Sequence, residues 1–166
     1  MPRRNTQVGW LVVGLAMLVA VGSACCARQS AGWADQAARL SQEADRAIAE
    51  ADPDRAIRSL QALLALPRPA EVTERDHRVV LQDGLWRLSE IELGRGHPDQ
   101  ARAYAERGLA LGETHDLFHA NLLAARGQAW EALGEDRRAA QDLQAAQRLN
   151  EALLQEALAQ PSEVNR

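Results

Sequence analysis

The chain has 166 residues and a net charge of −4 at pH 7, with 46% hydrophobic but only 4% aromatic residues. Its basic residues are all arginine and are dispersed among carboxylates, which excludes the basic footprint that nucleic-acid binding needs. The two cysteines, Cys25 and Cys26, are neighbours, so no disulfide staples the rest of the chain and its stability must come from packing.

Arg3 and Arg4 precede a charge-free stretch from Val8 to Ala27, most apolar between Trp10 and Val21. This is the pattern of a secretion signal or membrane anchor, expected over residues 1–24, and it sends the remainder away from the cytoplasm. Three outcomes compete. Gly22-Ser23-Ala24-Cys25 resembles a bacterial lipobox, which implies lipidation of Cys25, although Gly22 stands where that motif prefers Leu or Val. Small residues at Gly22 and Ala24 also suit ordinary cleavage after Ala24. About 20 uncharged residues are also long enough to span a bilayer uncleaved.

Residues 25–32 read as a tether, and the chain from 33 to 160 reads as helix throughout. Ala, Leu, Arg, Glu and Gln dominate, while β-branched residues are scarce. A first helix is expected over about 33–50, with Trp33, Ala37, Leu40, Ala44 and Ala47/Ile48 on one face. Asp52 is placed to cap a second helix whose first position is Pro53 and which runs to Leu66, before Pro67-Arg68-Pro69. Thr73-Glu74-Arg75-Asp76 has the form of a capping box. The third helix then runs to Gly94 with Val80, Leu81, Leu85, Leu88 and Ile91 inward. Gly94 and Gly96 suit its left-handed end, and His97 is expected to cap a fourth helix opened by Pro98 and ended by Gly112. Thr114 or Asp116 caps the fifth, to Gly134, and Asp136 the sixth, which nothing interrupts before Pro161. Its extension carries Leu153, Leu154, Ala157 and Leu158, read as a cap over the preceding helices or, alternatively, as a seam for self-association. Residues 161–166 are expected to be a flexible tail.

One pattern occurs three times: an apolar helix, a short polar turn, then a helix led by alanine. Its clearest copy is Leu123, Arg126, Gly127, Trp130, Leu133-Gly134-Glu135-Asp136, Ala139, Leu143, Ala146 and Leu149. A second is Leu85, Leu88, Gly94-Arg95-Gly96, Pro98-Asp99, Ala101, Ala105, Leu109 and Leu111. The third is Leu40, Ala44, Ala47, Asp52-Pro53-Asp54, Ala56, Leu60, Leu63 and Leu66. These units resemble tetratricopeptide repeats, in which a small residue (here Ser89 or Gly127) packs against a small residue opening the next helix (here Ala56, Ala101 and Ala139). The anchors at 56, 101 and 139 are farther apart than the usual period of about 34 residues, so longer segments must separate the units. The resemblance implies an all-α fold of three helical hairpins in a short right-handed solenoid, with the last helix extended as a cap.

It also implies a concave surface lined by the first helix of each unit. Aligned on the three alanines, that surface receives Ser41, Asp45 and Ile48; then Asp83, Trp86, Arg87 and Glu90; then Asn121, Gln128 and Glu131. Trp86 beside Arg87 is the type of pair enriched at binding hot spots, although Trp86 could equally pack between units. The surface is mildly acidic, suiting a protein partner that offers Arg or Lys with one apolar anchor.

Catalytic patterns are sparse. His115 and His119 stand four apart, as two metal ligands on a helix would, but Asp116 occupies the place where a zinc-protease helix carries Glu, and no third ligand is near. No cofactor motif occurs. The expectation is a non-enzymatic adaptor or scaffold tethered at a bacterial envelope membrane, its repeats on the extracytoplasmic side. A self-associating scaffold is the alternative, and a metallohydrolase using His115 and His119 a remote one.

Overall fold

The computed structural model describes residues 32–112 and 114–159, and these are all-α. Helix α1 covers 32–49, α2 Pro53–Leu64, α3 Glu74–Gly94, α4 Pro98–Leu109, α5 Leu117–Ala132 and α6 Asp136–Ala159. The expected signal or anchor, Cys25 and the tail at 161–166 lie outside the described residues. Among the described residues no helix is long and apolar enough to cross a membrane.

The connections alternate in length. Residues 50–52, 95–97 and 133–135 join α1 to α2, α3 to α4 and α5 to α6, whereas 65–73 and 110–116 make the two longer joints. The three short joints share one geometry. The middle residue of each is left-handed: Ala51 (φ 55°), Gly96 (φ 78°) and Gly134 (φ 77°). Its N–H donates three residues back, to the carbonyls of Ile48, Leu93 and Glu131. The next N–H donates five residues back, from Asp52 to Ala47, His97 to Glu92 and Glu135 to Trp130. This double closure is the Schellman motif, which satisfies carbonyls the helix end would otherwise leave unpaired.

Three helix starts, those of α2, α3 and α5, carry side-chain caps. The Asp52 side chain accepts from the Arg55 N–H at 3.0 Å with Pro53 in the first turn, and Asp116 does the same for His119 at 3.0 Å. Thr73 accepts from the Asp76 N–H at 3.1 Å, but Asp76 does not return the bond to the Thr73 backbone; its carboxylate accepts instead from the Thr73 hydroxyl at 2.8 Å.

Small residues set the helix separations within pairs. Ala44 and Ala56, Ser89 and Ala101, and Gly127 and Ala139 are all buried, and each pair is twelve residues apart in sequence. Ser89 also donates to the Ala101 carbonyl at 2.8 Å. A Cβ on Gly127 would lie 2.8 Å from Leu143 Cγ and 3.3 Å from the Ala139 carbonyl oxygen. Between pairs, α3 packs on α2 and α5, and α4 on α5. Ala44, Ile57, Leu60 and Leu88 form one core cluster with Leu64, Ile91 and Tyr104 against it. Leu60, Leu88 and Leu122 are fully buried, each contributing about 1.5–3 kcal/mol. Arg126 and Asp142 lock α5 to α6 with two bonds of 2.7 and 2.8 Å. Those hydrogen bonds hold the Arg126 guanidinium above its usual range, against the opposing effect of burial. Trp130 lies between Arg102 of α4 and Arg138 of α6, whose guanidinium carbons are 4.9 and 4.6 Å from its ring centre.

Several expectations need correction. Helix α2 stops at Leu64, not Leu66, and α4 at Leu109, short of Gly112. Gly94 remains helical, and Gly96 alone makes the left-handed turn there. The Gly134 turn puts Glu135 at the cap position, so Asp136 already belongs to the first turn of α6. His97 makes no side-chain cap bond, because its Nδ1 pairs with Glu92 at 2.8 Å. On α3, Leu85 and Leu88 are buried as expected, but Val80, Leu81 and Ile91 are only half-buried. Buried polar residues share the inward face: Gln82, whose amide reaches the Gly108 carbonyl at 3.3 Å, and Glu92, held by His97 and Arg95.

Candidate partner groove

Ser41, Asp45 and Ile48 follow one another at spacings of four and three, which stacks them along one face of α1. Asp83, Trp86, Arg87, Glu90 and Ile91 do the same on α3. The two faces together line an open cavity of about 680 Å³. Every residue expected on the concave surface from the first two units is therefore in one place. Asn121, Gln128 and Glu131, expected from the third unit, sit on α5 and do not line this cavity.

Arg87 forms the floor. Its side chain is 11% exposed and reaches Ser41 Oγ at 2.9 Å, Asp45 Oδ1, and Asp83 at 3.7 Å. These bonds tie α1 to α3, so the guanidinium serves its own chain before any partner. Trp86 is half-buried in the wall, and Ile48 is 47% exposed. Three carboxylates (Asp45, Asp83 and Glu90) face one guanidinium, which leaves the cavity negative. Burial raises the Asp83 carboxyl above its ordinary value; Arg87 opposes that shift and Asp45 adds to it. A carboxylate held in a partly dry, already negative place gains most from an incoming cation.

No family model, curated protein or solved structure matches the chain.

Other predicted positions fall apart from the groove. His115 lies 3.0 Å from Glu156 near the end of α6, while His119 Nδ1 is buried with no partner among the described residues. No group of three or more His, Cys, Asp or Glu side chains placed to hold a metal occurs among the described residues. The floor role of Arg87 was missed from sequence, although Asp83 and Arg87 four apart signalled an ion pair on one helix face. Its partners Ser41 and Asp45 lie more than forty positions away, and no local signal connects them.

Proposed function

We propose that this chain is a non-enzymatic adaptor of tetratricopeptide type, tethered at a bacterial envelope membrane by its N-terminus, which holds a partner protein through the groove between α1 and α3. The observation that carries the reading is the groove itself: an open, negative cavity with an aromatic wall and a floor fixed by Arg87. The three matching Schellman joints and the three small-residue pairs at one spacing support a repeat origin for the helix pairs. In this reading the pairs stack as a short right-handed solenoid, with α1, α3 and α5 on its inner side and α6 as cap. The tether is lipid on Cys25.

The test is site-specific photo-cross-linking in cells. A photoreactive amino acid at exposed Glu90 in the groove is expected to give one discrete adduct with another protein. The same probe at Gln147, exposed on α6, is expected to give none. Equal adducts from both positions, or none from Glu90, would count against the groove.

One observation favours the second reading, self-association: Leu154 and Leu158 on the end of α6 are 60% and 78% exposed. Under that reading Leu154→Glu/Leu158→Glu converts a dimer to a monomer in light scattering; under the adaptor reading it changes nothing.

A further inference from the structure

Ser41 and Asp83 border two cavities. On one side is the negative groove; on the other is an apolar cavity of about 360 Å³. The second is walled by Trp33 and Ala37 of α1, Leu63 of α2, Val80 of α3 and Phe118 of α5. Four helices thus converge on it, yet no side chain of the described residues fills it. An apolar cavity of about 150 Å³ already holds benzene, so a leucine or phenylalanine side chain fits this one.

The groove side offers the complementary chemistry. Arg87 is engaged by Ser41, Asp45 and Asp83, whereas Glu90 is exposed and makes no ion pair among the described residues. Ser41 and Asp83 line both cavities, and Glu90 stands two helical turns, about 10 Å, beyond Asp83 on α3. An extended segment rising about 3.3 Å per residue covers that distance in about three positions.

Resting on the groove reading above, we propose that the partner segment binds extended and carries a bulky apolar side chain about three positions from an arginine or lysine. The apolar side chain enters the cavity between Trp33 and Phe118, and the cation meets Glu90 in the groove. Charge decides for this occupant: a neutral or acidic segment would leave the excess carboxylates of the groove unpaired.

The test is selection of a random octapeptide phage library on the full chain in detergent, followed by anisotropy with the best fluorescein-labelled peptide. Wild type is expected to enrich peptides with the apolar–basic pair. Glu90→Arg is expected to bind about fivefold more weakly, with the difference shrinking at about 0.5 M salt. Ala34→Leu adds bulk at an exposed α1 position on the rim of the apolar cavity, with Ala38→Leu as a second filler of the same kind. Each is expected to weaken binding about tenfold whatever the salt, with circular dichroism showing an intact fold. Peptides that lack the pair, or that ignore both fillers, but still lose affinity to Trp86→Ala overturn this proposal and leave the groove reading standing. No enrichment at all overturns both. Dimerisation of wild type that Ala34→Leu abolishes would put a second copy in the cavity and overturn the peptide.

Discussion

Replacing Gly134 by alanine isolates the backbone term at one of the three Schellman joints. Gly134 has φ 77°, where an L-residue brings its Cβ against the neighbouring carbonyl at about 1–2 kcal/mol. A Cβ there would meet no other atom within 4 Å, so no packing clash adds to that cost. Alanine also restricts the unfolded chain, which returns about 0.4–1 kcal/mol. The net loss expected is about 1 kcal/mol, or roughly 3–5 °C in Tm for a chain of this size. Gly96→Ala is expected to behave alike, since φ is 78° and its Cβ would also be in open space. Ala51→Gly reverses the experiment, because alanine already occupies the same left-handed position at φ 55°; it is expected to stabilise by about 0.5–1 kcal/mol. The assay is urea unfolding of the full chain followed by circular dichroism at 222 nm, with all three variants in parallel. Gly134→Ala as stable as the parent, or Ala51→Gly less stable, would refute the shared geometry.

Asp142→Ala leaves the Arg126 guanidinium half-buried without its two bonds, and is expected to cost about 2 kcal/mol, below the range for a fully buried pair because Arg126 is 28% exposed; the same unfolding assay reads it. Ala139→Arg drives a charged chain into the contact with Gly127 and Leu143, and is expected to cost more than about 3 kcal/mol, seen as lost helicity. Asp83 has a folded pKa above its ordinary 3.8, so folding takes up a proton, and its charge costs stability above the folded pKa. Asp83→Asn is therefore expected to be more stable than the parent at pH 7, with the gain fading as pH falls towards 3.8; a pH-independent difference would contradict the assigned cause. Cys25→Ser is expected to abolish incorporation of radiolabelled palmitate, and labelling that persists would remove the lipid tether.

The sequence exposed the helix order because its punctuation is local. Asp52-Pro53, Thr73, Pro98 and Asp116 each start a helix through atoms within three or four residues, and each start is found within a residue or two of its expected place. The alanines at 56, 101 and 139 were legible for the same reason: a small residue at the head of a helix stands out in its own segment. Their partners were legible only in part. Ser89 and Gly127 stand out as small residues between larger neighbours, but Ala44 hides among other alanines, so the common twelve-residue spacing emerges only with all three pairs buried. The joint at Ala51 was obscured in the same way, since nothing in its sequence announces a positive φ.

What depends on distant pairing was not legible. Gln82 and Glu92 are polar and outside the expected inward set, yet both are buried because the Gly108 carbonyl, His97 and Arg95 receive them. The groove was half legible. Alignment on the alanines, as the tetratricopeptide resemblance implies, put Asp45 with Asp83, Trp86 and Glu90. The apolar cavity beside it was not, because Trp33, Leu63 and Phe118 arrive from three separate helices. Arg87 shows the limit most clearly. As a residue type it suggested a partner contact, whereas its bonds to Ser41 and Asp45 make it a tie between α1 and α3. An Arg87→Ala variant would therefore confound lost binding with lost structure, and Trp86 and Glu90 are the residues to change.

The most direct test of the adaptor reading is affinity capture of the full chain from its native membranes after mild cross-linking. Wild type would run beside Trp86→Ala/Glu90→Arg, with circular dichroism showing that the variant folds. A stoichiometric partner recovered by wild type and lost from the folded variant is the predicted result. Equal recovery by both, or recovery of the chain alone, would contradict a partner-binding groove between α1 and α3.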